Sequence, residues 1–206
     1  MSTTIREKDL EFVFGNSWSI RQHDKTPEAN ALLPIPGTAV VDFMGSYDSR
    51  LVVFFEVKDP RGHEADYAHA DLQTLQPSGF PAEAESVARK FKDAAAAMAY
   101  CGKVPGFDLL YAQLTALLAQ APSEIALVLW QEMDATDPRW AAACSFFWTK
   151  LKQLLAKVVS TRAGDGRKVH LLRANMADYQ NVLSDLQVND LAGGAAVPAD
   201  PPPTGP

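Results

Sequence analysis

Three charged residues interrupt two apolar runs of the chain. Asp42 stands in Val40-Val41-Asp42-Phe43-Met44, and Glu56 and Lys58 stand near the end of Val52-Val53-Phe54-Phe55-Glu56-Val57-Lys58-Asp59. Both runs are short and rich in Val and Phe, as buried strands are. Side chains alternate across a strand, so Glu56 and Lys58 share one face while Val53, Phe55 and Val57 share the other. Charges on so apolar a strand cost several kcal/mol unless they are paired or hold a cation. If the runs pair with Asp42 opposite Glu56 or Phe54, Asp42 joins the cluster directly or diagonally. Two carboxylates and an ammonium at one strand end suit metal-assisted phosphodiester hydrolysis. Asp42 and Glu56 hold Mg²⁺ (or Mn²⁺) through oxygen, and the cation polarises the phosphate and acidifies a water. Lys58 orients that water or helps deprotonate it, and it stabilises the negative charge that develops. The same three residues also fit a buried ion-pair network without catalysis.

The elements that must position this cluster are legible from pattern. Phe12–Phe14 and Trp18–Ile20 alternate with polar residues, predicting an opening strand or bent hairpin. Glu28–Pro36 reads as a loop, Thr38–Met44 as a strand, Gly45–Arg50 as a turn and Leu51–Lys58 as a second strand, together a β-hairpin. Pro81 marks a helix start, Val87, Phe91, Ala94 and Met98 recur at helical spacing, and Gly102 ends that helix. Asp108–Gln120 is a second amphipathic helix, Ile125–Trp130 a buried strand and Pro138–Ser160 a long helix. Gly164–Gly166 is a turn, Val169–Leu172 a strand and Ala177–Leu186 a final helix. This order predicts an α/β fold with a mixed central β-sheet flanked by helices. On the first helix, Ser86, Lys90 and Asp93 lie within about 60° of one another, and Glu83 falls roughly 20° from Lys90. That face borders the apolar stripe, so Glu83, Lys90 and Asp93 are candidate supporting or substrate-binding residues. Set against this is a solvated face with Lys90–Asp93 and Glu85–Arg89 pairs.

Composition bounds the rest. The 206 residues are 47% hydrophobic and 21% charged, enough for a buried core. They suit one domain over residues 1–190 with a flexible Pro/Gly/Ala-rich tail at 191–206. Nineteen Lys and Arg against 25 Asp and Glu give a net charge of −6, which excludes a strongly basic, histone-like protein but not a local basic groove. Cys101 and Cys144 form no CxxC and cannot staple the fold, so a cysteine zinc site is excluded and a reducing cytoplasm is expected. Residues 1–5 are polar and no apolar run is long enough to span a bilayer, so neither a secretory leader nor a membrane segment is expected. There is no Walker loop, no dinucleotide fingerprint and no nucleophile elbow, and His23, His63, His69 and His170 lack metal-ligand spacing. Trp18, Trp130, Trp140 and Trp148 read as core residues, and Arg139, Lys150, Lys152 and Lys157 as a solvated helical face. Asp59–Asp71 reads as a loop near the cluster, placed to contact substrate.

Asp42, followed after a hairpin by Glu56-Val57-Lys58, resembles the PD-(D/E)xK motif of the restriction-endonuclease-like nucleases. The resemblance covers roughly residues 11–175. It implies a mixed sheet with the site on its second and third strands, Asp42 and Glu56 as metal ligands, Lys58 serving the nucleophile, and DNA as substrate. Val41 stands where the motif has Pro. The family's core usually opens with a helix that often bears a further acid, and here only Thr3–Glu11 is available, with Glu7 or Glu11 as that acid. The resemblance also gives Lys90 a phosphate or orienting role. The alternative is a nuclease fold without hydrolysis, acting as a binding or scaffold subunit of a larger bacterial assembly. The acidic charge leans that way and leaves room for a protein partner that supplies a basic surface, or for a homodimer.

Overall fold

Strict alternation builds the first elements of the computed structural model, which describes residues 2–27, 29, 39–59, 79–101, 109–120, 124–132, 138–162 and 168–191. Strand β1 (Thr3–Glu7) buries Ile5 at its centre, strand β2 (Leu10–Phe14) buries every second residue, and strand β3 (Trp18–Gln22) buries Trp18 and Ile20 and exposes Ser19 and Arg21. Residues 3–11 are therefore two strands of a hairpin and not the opening helix that the resemblance implies. Strands β4 (Phe43–Tyr47) and β5 (Leu51–Lys58) form the next hairpin. Then come helices α1 (Gly79–Cys101) and α2 (Leu109–Ala119), strand β6 (Glu124–Gln131), helix α3 (Pro138–Arg162) and strand β7 (Lys168–Ala174). A 3₁₀ turn (Tyr179–Asn181) and strand β8 (Leu186–Asp190) follow.

Two sheets result. The larger has the order β3-β4-β5-β6-β7, with β3, β4 and β5 antiparallel and β5, β6 and β7 parallel. The smaller has the order β1-β2-β8, all antiparallel. The α/β class and the mixed sheet are as the sequence predicts. The flanking differs from expectation. One face of the large sheet packs Met44, Val52, Phe54, Ile125, Leu127 and Leu129 against the apolar stripes of α1, α2 and α3. The other face packs Phe43, Val53, Phe55, Val57, Val128 and Trp130 against Phe12, Phe14 and Val188 of the small sheet. So the three described helices share one face, and a second sheet covers the other. Strands β5 and β6 are buried on both faces, and this is why they read as unbroken apolar runs.

Two further boundaries move. The strand expected at Thr38–Met44 is β4, shifted to Phe43–Tyr47. Gly45 thus lies inside a strand and not at a turn. A Cβ there would come within 2.2 Å of the Ser19 carbonyl and 2.6 Å of Ile20 Cα, so glycine permits the close approach of β3. The turn that follows has Asp48 and Ser49 both at φ 51°, as a type I′ hairpin requires. The helix expected at Ala177–Leu186 is the 3₁₀ turn and the start of β8. Asn175 and Asp178 side chains satisfy nearby backbone N–H groups there, which favours a turn over a helix. Leu191, expected to open the tail, still donates its N–H to the Asp9 carbonyl at 2.7 Å. The rest of the tail, Glu28 and 30–36, and Pro60–Asp71 lie outside the described residues. No helix among the described residues is long and apolar enough to cross a membrane.

Candidate active site

Register decides the cluster. Phe43 pairs with Phe55 across the β4–β5 hairpin, and the same register carried one step on sets Asp42 opposite Glu56. The Val57 N–H donates to Asp42 Oδ2 at 2.6 Å, tying the aspartate to the third strand. Glu56 and Lys58 alternate with the Phe55 and Val57 side chains and so face the helical layer, together with Val52 and Phe54. The Glu132 N–H donates to the Lys58 carbonyl at 2.9 Å and fixes the end of the strand.

Helix α1 closes the cluster from above. Its buried stripe of Ala84, Val87, Ala88, Phe91 and Ala94 seats it on the sheet and brings the residues beside that stripe over the strand ends. Lys90 Nζ lies 2.7 Å from Glu56 Oε1 and 3.7 Å from Asp42 Oδ1, so one ammonium bridges both carboxylates. Lys58 Nζ lies 3.3 Å from Glu56 Oε1 and 2.9 Å from Glu83 Oε1. Asp93 Oδ2 accepts the Ala39 N–H at 2.9 Å and so steadies the segment that leads into Asp42. The structure therefore gathers Asp42, Glu56, Lys58, Glu83 and Lys90 at one point and sets Asp93 beside them. The lysine at 90 turns toward the strands and is not part of a merely solvated face.

Glu56 is fully buried, and its Oε2 has no hydrogen-bond partner. Burial first, and then the neighbouring Asp42 charge, push its carboxyl up to about 7, against the pull of Lys58 and Lys90. Asp24 is a residue that the sequence reading missed. The His23 N–H donates to the Asp42 carbonyl at 2.7 Å, which brings the loop after β3 to the aspartate. Asp24 Oδ1 is buried without a partner, and the carboxyl is pushed up to about 6 by burial, then by Asp42 and Glu7. No local pattern announces it, because the polar stretch at 22–26 has no periodicity. Gln131 was also missed, because an uncharged amide at the end of an apolar strand carries no charge signal. Of the two acids that the resemblance offered, Glu7 accepts Gln22 Nε2 at 2.9 Å on the strand next to this corner, while Glu11 pairs with Arg6 and Asn189 on the small sheet.

The remaining candidates settle elsewhere. His23 is buried against Tyr111, with Nδ1 2.8 Å from the hydroxyl, and His170 pairs with Glu124 at 2.8 Å. Trp18 and Trp130 are core residues. Trp148 is partly buried, with Lys152 Nζ and Arg173 Cζ each 5.9 Å from its ring centre. His63, His69 and the side chains of Arg139, Trp140 and Lys157 lie outside the described residues. Cys144 is buried and unbridged. A cleft of about 330 Å³ lined by Tyr47, Asp48, Arg50, Leu51 and Glu124 sits at the opposite end of β5 and holds none of the clustered residues.

Among the described residues no three His, Cys, Asp or Glu side chains converge into a ready-made metal site. Asp42 and Glu56 supply two carboxylates, which is the usual protein share for Mg²⁺, an ion that keeps several of its waters. The chain matches no family model, no curated protein and no solved structure.

Proposed function

We propose that this chain is a metal-dependent nuclease that hydrolyses DNA phosphodiester bonds, with Asp42 and Glu56 holding Mg²⁺ or Mn²⁺ and Lys58 assisting the attacking water. The observation that carries the reading is the pair of facing carboxylates at the ends of β4 and β5, already bridged by an ammonium, with a second ammonium 3.3 Å away. The position of the motif on the second and third strands of a mixed sheet supports a restriction-endonuclease-like site.

The donor set fits a hard divalent cation. Glu56 Oε2 is an orphaned buried oxygen, and Lys90 occupies a position where positive charge satisfies both acids. When bound, the cation would polarise the phosphate and acidify the attacking water. Lys58, a fifth exposed at the mouth of the cluster, reaches a phosphoryl oxygen and stabilises its growing charge. Glu83 holds that ammonium from the helix side. Lys90 keeps Asp42 and Glu56 together and supplies a second positive charge close to the phosphate. The water oxygen bonds to phosphorus and its proton passes to solvent. The bond to the leaving sugar oxygen breaks, and that oxygen keeps the electron pair and takes up a proton.

Purified protein incubated with plasmid or single-stranded DNA and Mg²⁺ or Mn²⁺ tests this. Cleavage by the wild type that stops with chelator and in Lys58→Ala is the expected result. A wild type that cuts neither substrate with either metal overturns it. A second reading has its own support: Lys90 neutralises the acids without any metal, and the chain is acidic overall at −6. On that reading the protein is an inactive nuclease-fold scaffold whose partner supplies the basic surface, and it neither cleaves DNA nor binds Mg²⁺.

A further inference from the structure

Gln131 ends β6 directly beside Lys58. The two residues are partners in the parallel register, and partners in neighbouring parallel strands point to the same face. Two residues back in the same ladder, and so on the same face, Glu56 pairs with Leu129. Leu127 and Leu129 precede Gln131 on this face and pack in the helical core, so a leucine or methionine at 131 would continue the pattern. The chain instead places an amide there, only 8% exposed, whose Oε1 accepts no hydrogen bond. A buried carbonyl without a donor destabilises a fold, and such groups in folded proteins usually answer to an absent partner.

Two of the orphaned buried oxygens among the described residues, Glu56 Oε2 and Gln131 Oε1, thus lie on the same face of adjacent strands and within a diagonal step of one another, with Lys58 beside both. An amide oxygen is a neutral acceptor. It does not compete for the cation as a third carboxylate would, and it offers nothing to a phosphate oxygen. What it suits is a group with O–H donors at the mouth of the site. We propose that Gln131 Oε1 accepts a hydrogen bond from the attacking water and so turns the water's lone pair toward phosphorus next to Lys58. The inference rests on the nuclease reading and adds to it the residue that orients the nucleophile. The water's other proton is the one lost to solvent, and Gln131 itself neither gains nor loses a proton.

The test compares wild type with Gln131→Met and Gln131→Leu on a fluorescent single-stranded DNA oligonucleotide with Mn²⁺, beside thermal unfolding without metal and calorimetric Mn²⁺ titration. The expected result is a kcat lowered by about tenfold or more, with KM and Mn²⁺ affinity within about twofold of wild type. Unfolding temperatures equal to or above wild type complete it, since the orphaned oxygen is gone. Unchanged kcat in both variants overturns the inference and leaves the nuclease reading standing. A kcat that falls together with the unfolding temperature assigns Gln131 to the fold and also overturns it. A wild type inert on the oligonucleotide and on plasmid DNA with either Mn²⁺ or Mg²⁺ removes the nuclease reading and this inference with it.

Discussion

With its side chain buried and one oxygen unpartnered, Glu56 holds its proton more tightly in the folded chain than in the unfolded one, at about 7 against an ordinary 4.5. Between those values the folded state binds more protons, so stability falls as pH rises through that window and levels off above it. Asp24, at about 6 against 3.8, adds in the same direction. Glu56→Gln removes the larger contribution. Its unfolding temperature is expected to decline less than that of wild type between pH 5 and pH 8 (about three units), and added Mg²⁺ is expected to raise the wild-type value at the upper pH but not the variant's. Thermal scans in matched buffers measure both, and parallel wild-type and variant curves would contradict the electrostatic account. The cluster was legible at this scale because charge on an apolar strand is conspicuous, and Lys90 and Glu83 followed from helical period. Asp24 and Gln131 were not legible. One sits in a patternless loop and the other is uncharged, so their importance arises only from what the folded chain brings beside them.

The β4–β5 hairpin is the element on which the site depends, since its register sets Asp42 against Glu56. Ser49 adopts a left-handed conformation at φ 51°, which L-residues with a Cβ resist. Ser49→Gly is expected to stabilise the protein by up to about 1 kcal/mol. Gly45→Ala drives a methyl group into the β3 backbone and is expected to cost about 1–3 kcal/mol. Urea unfolding gives both signs, and a stabilising Gly45→Ala would refute the close-approach explanation. Sequence pattern placed β5, β6 and the three helices well, because period and length settle those elements. It misplaced β4, where a glycine that looks like a turn signal serves a neighbouring strand. It also expected a helix at Ala177–Leu186 and no strand at 187–190, because β8's partner, β2, lies far away in the chain.

For the molecule as a whole, the small sheet is the floor under β5. Leu186 and Val188 of β8 are buried in the same core as Phe12, Phe14, Phe43, Phe55 and Trp130. Ending the chain at residue 184 removes both residues and bares the edge of β2, which costs about 3 kcal/mol or more. Calorimetry of the truncated chain is expected to show a lowered transition or none. A transition unchanged from the full chain would show that the floor is dispensable. Mixed α/β class was readable from the order of elements, but the second sheet was not, because it joins residues 10–14 to 186–190 and no local signal reports such a pairing. That long-range closure shapes how the protein is born. Until residues 186–190 leave the ribosome, the edge of β2 is unpaired and the aromatic core lacks Leu186 and Val188, so this core closes only after all its other strands have been made. The half-made chain, with a bare strand edge above greasy rings, is the species on which a chaperone would act.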